Sequence, residues 1–300
     1  MVSFKELYQQ LLPTLPPTDG APSEHELLWL FSHYTGLSKA ELRQPGALDI
    51  EADEPTAAAI RRAVESRRQN VPLQYITGLQ PFWDFDLIVS PDVLIPRWDS
   101  ETVLEQALRL IPPNMPNNQP PAVADICTGS GAYALTIKHE RPNAQLIATD
   151  ISPAALAIAR QNAAKYNLQI DFRQGDLLKA LPSPQRQQYH LITCNPPYVE
   201  TNANLPPDVQ QEPALALFGG ADGLDFYRRL TQEGVFDYLR PGGWLLLEIG
   251  SAQAAAVSGL LHQAGFSDIQ TGQDLAGRDR WVQGQRPANQ PATTLKGVSG

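Results

Sequence analysis

Cysteine is scarce in this 300-residue chain. Cys127 and Cys194 are too few for a disulfide framework, and together with five histidines they form no cluster at metal-ligand spacing. Two reduced thiols and no bound metal are expected. Positive charge is also short: 23 basic against 32 acidic residues leave a formal charge of −9. That balance argues against a broad phosphate-binding face, and so against nucleic acid as a direct partner. No stretch approaches the roughly 18 unbroken apolar residues of a membrane span. The opening "MVSFKELYQQLLP" sets Lys5 and Glu6 where a signal peptide needs an apolar run. A cytoplasmic chain with no membrane partner follows, and no internal repeat is visible.

What is present divides into four stretches. Residues 1–72 carry helical patterns. "SEHELLWLFSHYTG" suggests a capping box of Ser23 with Glu26 and a stop at Gly36, and Ser38 with Glu41 repeats the device. "PTAAAIRRAVESRRQN" starts with Pro55 in the first turn and sets Arg61, Arg62, Arg67 and Arg68 on or near its exposed face. A solvated helix face explains those arginines, and a docking surface for an acidic partner is the sharper alternative. Over 73–98 the period shortens: "LQYITG", "FWDFDLIVS" and "VLIPR", punctuated by Gly78, Pro81 and Pro91, predict a β-hairpin connector.

The stretch 99–286 opens with a helix over 99–111 and a proline-rich linker over 112–121, after which strands and helices alternate from Ala122 onward. Among the helices is one near 224–239. This order predicts an α/β domain with a mostly parallel sheet covered on both faces. Residues 287–300 are too polar to pack and are expected to be disordered.

In "VADICTGSGAYA" an apolar strand runs into Gly129 and Gly131 and then into a helix. Glycines there permit a tight turn and a close backbone approach by a ligand at the helix start. Asp150, ending the next strand, is suitably spaced for ribose hydroxyls. A nicotinamide dinucleotide and S-adenosylmethionine both present such a ribose, so the loop alone leaves the two open. Asp176 in "RQGDLL" falls at the level of an adenine ring, which Leu177 would flank unless it serves only the core. His25, His33, His139, His190 and His262 all fall in helix or strand patterns, away from any strand-end loop where a hydride-transfer relay would be wanted.

The stretch "TCNPPYVE" supplies a different chemistry. Two prolines directly behind "YHLIT" end the strand, since neither can donate to a ladder. The Asn195 side-chain oxygen and the Pro196 carbonyl are thereby held as rigid acceptors for both N–H groups of a flat NH2. Such bonds push electron density back onto a poorly nucleophilic nitrogen and fix its direction. Tyr198 can stack on the flat group, and no strong base is needed, because the nitrogen becomes acidic once methylated.

"NPPY" behind a "TGSG" loop resembles the amino-methyltransferases that use S-adenosylmethionine. With "PLQYITG", "FWDFDLIVSPDVLIPR", "EPALALFGGADGLDFYRRL", "PGGWLLLEIG" and "DLAGRDRW", the chain resembles over about residues 5 to 285 the peptide chain release factor glutamine methyltransferases of the HemK type. The resemblance implies a Rossmann-like methyltransferase domain over 99–286 and a helical domain over 1–72 that docks the release factor. It also implies a monomer, with N5-methylation of the glutamine in the factor's Gly-Gly-Gln motif. By the same match, Cys127, Thr128, Gly129, Ser130, Gly131, Asp150, Leu177 and Asn195 bind S-adenosylmethionine. Asn195, Pro196, Pro197 and Tyr198 hold the glutamine amide, with Asn195, Pro196 and Tyr198 as the catalytic set.

Three departures stand out. Cys127 replaces the usual glycine of "DLGTGSG" and is tolerable if its φ is negative. "PRWDSE" replaces "PRPETE", and Trp98 speaks against a catalytic role for 97–101. Tyr133 stands where an aliphatic residue is usual.

The alternatives are a methyltransferase for a ribosomal protein glutamine, one for a nucleic-acid adenine amino group, and a scaffold that has lost transfer. The adenine reading would want a basic groove or a target-recognition domain, and the scaffold reading would leave the combined glycine loop, Asp150 and "NPPY" without a purpose.

Overall fold

The computed structural model describes residues 2–15, 23–111, 119–184 and 188–288. Most of the proline-rich linker, residues 112–118, and nearly all of the expected disordered tail lie outside them. Contacts divide the chain into two units, Met1–Leu79 with Leu205–Gln211, and Gln80–Asn204 with Glu212–Gly300.

The first unit is helical, with α1 (Phe4–Leu11), α2 (Ser23–Thr35), α3 (Lys39–Leu42), α4 (Glu54–Arg68) and α5 (Leu73–Thr77). Its core holds Leu7, Leu27, Leu30, Phe31 and Ile60, all fully buried. Capping boxes start α1, through Ser3 and Glu6, and α3, through Ser38 and Glu41. The box expected at α2 does not form. Ser23 donates its hydroxyl to the Leu15 carbonyl at 3.0 Å, and Glu26 turns inward to accept from Arg67 of α4 at 2.9 Å. Arg67 is accordingly buried and leaves the solvated face where the spacing set it, with Asp208 also 3.6 Å away. Leu73–Thr77 is a helical turn where a strand was expected. The left-handed Gly78, φ 72°, stops it, and Thr77 bonds back to the Leu73 carbonyl at 3.1 Å.

The second unit begins with a two-stranded ribbon of β1, which starts at the boundary residue (Leu79–Phe82), and β2 (Phe85–Ile88). Then follow α6 (Ser100–Leu110), β3 (Ala122–Ile126), α7 (Ala132–Glu140), β4 (Gln145–Asp150), α8 (Pro153–Lys165), β5 (Asp171–Gln174) and β6 (Tyr189–Cys194). The remainder is α9 (Ala214–Leu217), α10 (Asp225–Gln232), α11 (Val235–Tyr238), β7 (Leu239–Glu248), α12 (Ala254–Gln263), β8 (Ser267–Gln273) and β9 (Asp279–Gln285). The single helix expected near 224–239 is two, because Gly234 takes φ 84° between them.

The seven-stranded sheet runs β5-β4-β3-β6-β7-β9-β8. Its first five strands are parallel, and β9 and β8 join antiparallel. Every residue of β3 is buried, as a strand covered on both faces requires. Side chains alternate between two apolar layers. Leu245 and Leu247 pack with Ile126 and Ile192 toward α10 and α12, while Leu246 packs with Val123 and Leu191 toward α6 and α7. The chain moves from β3 outward to β4 and later returns to β3's other side with β6. This reversal opens a crevice beyond the carboxyl ends of the parallel strands.

Candidate active site

A cavity of about 290 Å³ lies at that crevice, lined by the ends of β3, β4, β5 and β6, all within the second unit. The turn after β3 is built from left-handed backbone: Cys127 has φ 60°, Gly129 54° and Gly131 87°. A Cβ at Gly131 would come within 2.6 Å of the Leu135 side chain and 3.2 Å of Ala159, so a bare residue there lets α7 close onto α8. Cys127 fails the condition set for it. Its φ is positive, which explains why glycine suits the position and leaves this chain with local strain of roughly 1–2 kcal/mol.

Asp150 clamps the turn. Its two carboxylate oxygens accept the Gly129 and Ser152 N–H groups, each at 2.9 Å, while burial raises its pKa. Each oxygen keeps a lone pair for a further donor. Below the turn, buried Asp125 accepts the Thr128 hydroxyl at 2.6 Å and the Thr193 hydroxyl at 2.8 Å. Burial pushes Asp125 up to about 7. It lines the cavity, and sequence reasoning missed it because only tertiary burial distinguishes it from any other strand aspartate. Asn162 of α8 fastens the same region, donating to the Ser130 carbonyl at 2.9 Å and exchanging two bonds with Ile88.

Behind β6 the chain turns at Asn195. Among the described residues no hydrogen bond takes up the Asn195 side-chain amide or the Pro196 carbonyl. The segment around Phe218 locks the corner from outside: Val199 donates to the Leu217 carbonyl and Gly219 donates to the Val199 carbonyl, both at 2.8 Å. A Cβ on Gly219 would sit 2.4 Å from the Pro197 carbonyl, so only glycine allows this approach. Gln253 holds the Tyr198 carbonyl at 2.9 Å, and the Tyr198 hydroxyl donates to Glu248 at 3.2 Å. Tyr133 donates to the other oxygen of Glu248, a carboxylate fully buried at the end of β7.

Cys127, Thr128, Gly129, Ser130, Asp150 and Leu177 line the cavity, and Asn195 and Pro197 line its opposite side. Gly131, Pro196 and Tyr198 are not part of the lining. Leu177 serves both readings offered for it, packing in the core and facing the cavity. Asp176 also lines it but is engaged by Arg229 at 2.7 Å, which lowers its pKa. None of the five histidines reaches it. In segment 97–101, Arg97 pairs with buried Glu212, Trp98 stays exposed, and Ser100 lines the cavity. Cys127 and Cys194 are free thiols at the ends of neighbouring strands, and burial, with the Cys127 thiol beside it, raises the Cys194 pKa. Asp84, His139 and Glu140 gather at the surface, a grouping their sequence spacing does not announce; Glu140 accepts the Trp83 indole N–H at 2.9 Å. Among the described residues no helix is long and apolar enough to cross a membrane.

Residues 7–78 match the PrmC N-terminal domain family and residues 99–212 match the methyltransferase small domain family. The release factor glutamine methyltransferase of Geobacter sulfurreducens is 40% identical over 263 residues, 87% of this chain and 88% of that one. The release factor glutamine methyltransferase of Xylella fastidiosa is 42% identical over 266 residues, 86% and 87% of the two chains. That of Koribacter versatilis is 38% identical over 297 residues, 96% of this chain and 100% of that one. A methyltransferase crystal structure from Pyrococcus furiosus shares the fold, with a TM-score of 0.52 at 17% identity, over 78% of this chain and all of that one. With a glycine turn, a clamped acidic strand end and an open Asn-Pro-Pro-Tyr corner around one cavity, this chain belongs to the release factor glutamine methyltransferase family.

Proposed function

We propose that this chain transfers a methyl group from S-adenosylmethionine to the side-chain amide nitrogen of the glutamine in the Gly-Gly-Gln motif of bacterial peptide chain release factors. The observation that carries the reading is the pair of unengaged acceptors, the Asn195 side-chain oxygen and the Pro196 carbonyl, on a corner rigid at every neighbouring bond.

The residues around the cavity fit the cofactor. Cys127 to Gly131 form a narrow turn at the start of α7, Asp150 keeps lone pairs for ribose hydroxyls, and Leu177 offers an apolar surface to a ring. When bound, S-adenosylmethionine supplies an electrophilic sulfonium methyl. The chain's own task is to bind the amide and aim it. Asn195 and Pro196 accept its two N–H groups, drawing density onto nitrogen, and the Tyr198 ring supports its flat face. Phe82, Leu94 and Leu215 give the cavity apolar walls. Positioning then carries most of the acceleration, and the proton leaves after transfer. Docking of the release factor is assigned to the helical domain of residues 1–72, with the enzyme working as a cytoplasmic monomer.

The test is to incubate the chain with methyl-labelled S-adenosylmethionine and, separately, a release factor, a ribosomal protein and DNA. Label on the Gly-Gly-Gln glutamine is expected. Its absence there, or transfer to one of the other acceptors instead, overturns the reading.

A further inference from the structure

Glu248 is a fully enclosed carboxylate bonded to the methyl-acceptor corner, and the proposed transfer does not use it. It ends β7 with 1% of its surface exposed. Its oxygens are shared between two phenols from different elements: Oε2 takes the Tyr133 hydroxyl and Oε1 takes the Tyr198 hydroxyl at 3.2 Å. Tyr133 is the second residue of α7, the helix that the glycine turn opens, and it lines the cavity. Tyr198 closes the Asn-Pro-Pro-Tyr corner. One carboxylate therefore joins a residue of the cavity wall to the last residue of the Asn-Pro-Pro-Tyr corner.

Its surroundings keep it from swinging. Tyr227 donates to the Glu248 backbone carbonyl at 2.8 Å, and Glu248 pairs with Trp281 in the ladder between β7 and β9. Arg280 of β9 lies on the same side and favours the ionised form against burial, which raises the Glu248 pKa. Two donors on two different oxygens fix the plane of a carboxylate, where one donor leaves it free to rotate. The Tyr198 backbone is held in place, while the bare Gly250 leaves room beside its ring. A Cβ on Gly250 would lie 3.6 Å from its edge, and Gln253 ties its carbonyl while accepting the Gly250 N–H at 2.9 Å.

We infer that Tyr133 is a positioning residue for methyl transfer, acting through Glu248 to set the plane of the Tyr198 ring on which the acceptor amide rests. Tyr133 touches neither reacting atom in this account. Removing its hydroxyl leaves the carboxylate with Tyr198 and the small Ser100 hydroxyl nearby, so its plane is less firmly set and the Tyr198 ring loses its fixed tilt. The inference rests on the reading of Tyr198 as the support of the amide.

The test is Tyr133→Phe, which deletes one oxygen and keeps the packing of a ring that is 5% exposed. The rate constant kcat for release-factor methylation is expected to fall about tenfold, the scale of a small misplacement at a reacting centre. KM for S-adenosylmethionine should stay within about twofold, since turn and clamp are untouched. In a Tyr198→Phe background the second change should cost nothing further, because the route through Tyr198 is already cut. An unchanged kcat in Tyr133→Phe, or two losses that multiply, overturns the inference. A readout independent of activity separates it from the functional reading: with ring-13C tyrosine, the Tyr198 signal, assigned by its loss in Tyr198→Phe, should shift or broaden in Tyr133→Phe. A wild-type chain that leaves the glutamine unmethylated overturns the functional reading. An unmoved Tyr198 signal overturns the network, whatever the activity.

Discussion

Arg67 of α4 donates to Glu26 of α2 at 2.9 Å in the interior of the helical unit, two charges 41 residues apart meeting where the spacing of each suggested the surface. Removing one partner of a buried pair strands the other, at a cost of about 3–5 kcal/mol. Asp208 at 3.6 Å from Arg67 softens the loss, so Glu26→Ala should cost nearer the low end, about 3 kcal/mol. Urea unfolding of the helical unit followed by circular dichroism measures it. The double replacement Glu26→Leu with Arg67→Met should recover much of the loss, because no charge is left buried; a double variant as unstable as Glu26→Ala contradicts this account.

Cys127 carries a side chain where φ is 60°, and the Cβ there costs roughly 1–2 kcal/mol. Glycine would lose roughly 0.5–1 kcal/mol more backbone entropy on folding. It would also remove the thiol that lies beside Cys194, a group whose own pKa burial raises. Cys127→Gly should therefore stabilise the second unit only slightly, by about 0.5 kcal/mol, with a thermal midpoint up by a degree or two. Cys127→Val, which adds β-branching at the same φ, should lower it by several degrees.

Asp125 makes stability depend on pH. Its folded pKa of about 7 lies above the ordinary carboxylate range because burial disfavours the charge. Between about pH 4 and 7 the folded chain holds a proton that the unfolded chain has released, so raising the pH through that window favours unfolding, by up to about 1.4 kcal/mol per unit. Above about 7 the dependence levels off. Asp150, also raised by burial, contributes to the same slope, so the informative quantity is wild type minus Asp125→Asn. That difference in urea midpoint should fall from pH 5 to pH 7 and then stay flat. A difference that stays flat from pH 5 to pH 7 would mean that Asp125 is already ionised in the folded chain across that range.

How much of this was legible follows from where each determinant acts. The strand β3 and the alternating Leu245, Leu246 and Leu247 of β7 declare a doubly covered sheet in their own side chains, and the break after Cys194 is written in two prolines. Elements of five residues are another matter. Leu73–Thr77 is apolar enough for strand or helix, and Gly78 together with the Thr77 back-bond decides for the helix. Ser23 and Glu26 have capping-box spacing, yet Arg67, distant in sequence, outbids the local N–H for the carboxylate. Asp125, Tyr133 and Glu248 were invisible as site residues for the same reason. An acid's importance here comes from being buried against two hydroxyls, and nothing within a few residues of it in the chain records that.

Asn195 should separate binding from transfer. Its side chain lies at the cavity edge with no bond to the rest of the chain among the described residues, so Asn195→Ala leaves the fold unstrained. It removes one of the two acceptors proposed for the amide, and loss of one such preorganised contact costs on the order of 10²–10³ in kcat. Labelled transfer to the release factor should become barely detectable while calorimetry finds cofactor affinity only weakened. A wild-type kcat would refute the hydrogen-bond account of nitrogen activation.

Arg97 and Glu212 close the argument about segment 97–101. Glu212 sits buried behind α9, accepts the Ile95 N–H at 3.0 Å, and pairs with Arg97, so one carboxylate ties the stretch leading into α6 to the stretch leading into α9. Pro96 from the first stretch and Pro213 and Leu215 from the second all line the cavity. Arg97→Ala leaves Glu212 its backbone donor but takes away its guanidinium, at about 1–3 kcal/mol. The walls then drift apart before the unit unfolds. The expected outcome is a thermal midpoint lower by a few degrees with kcat/KM down about tenfold. Arg97→Lys should restore the midpoint better than the rate, since an ammonium can neutralise Glu212 without reproducing the planar fork that sets the spacing. Equal recovery of both would mean that charge alone, and not geometry, is what Arg97 contributes.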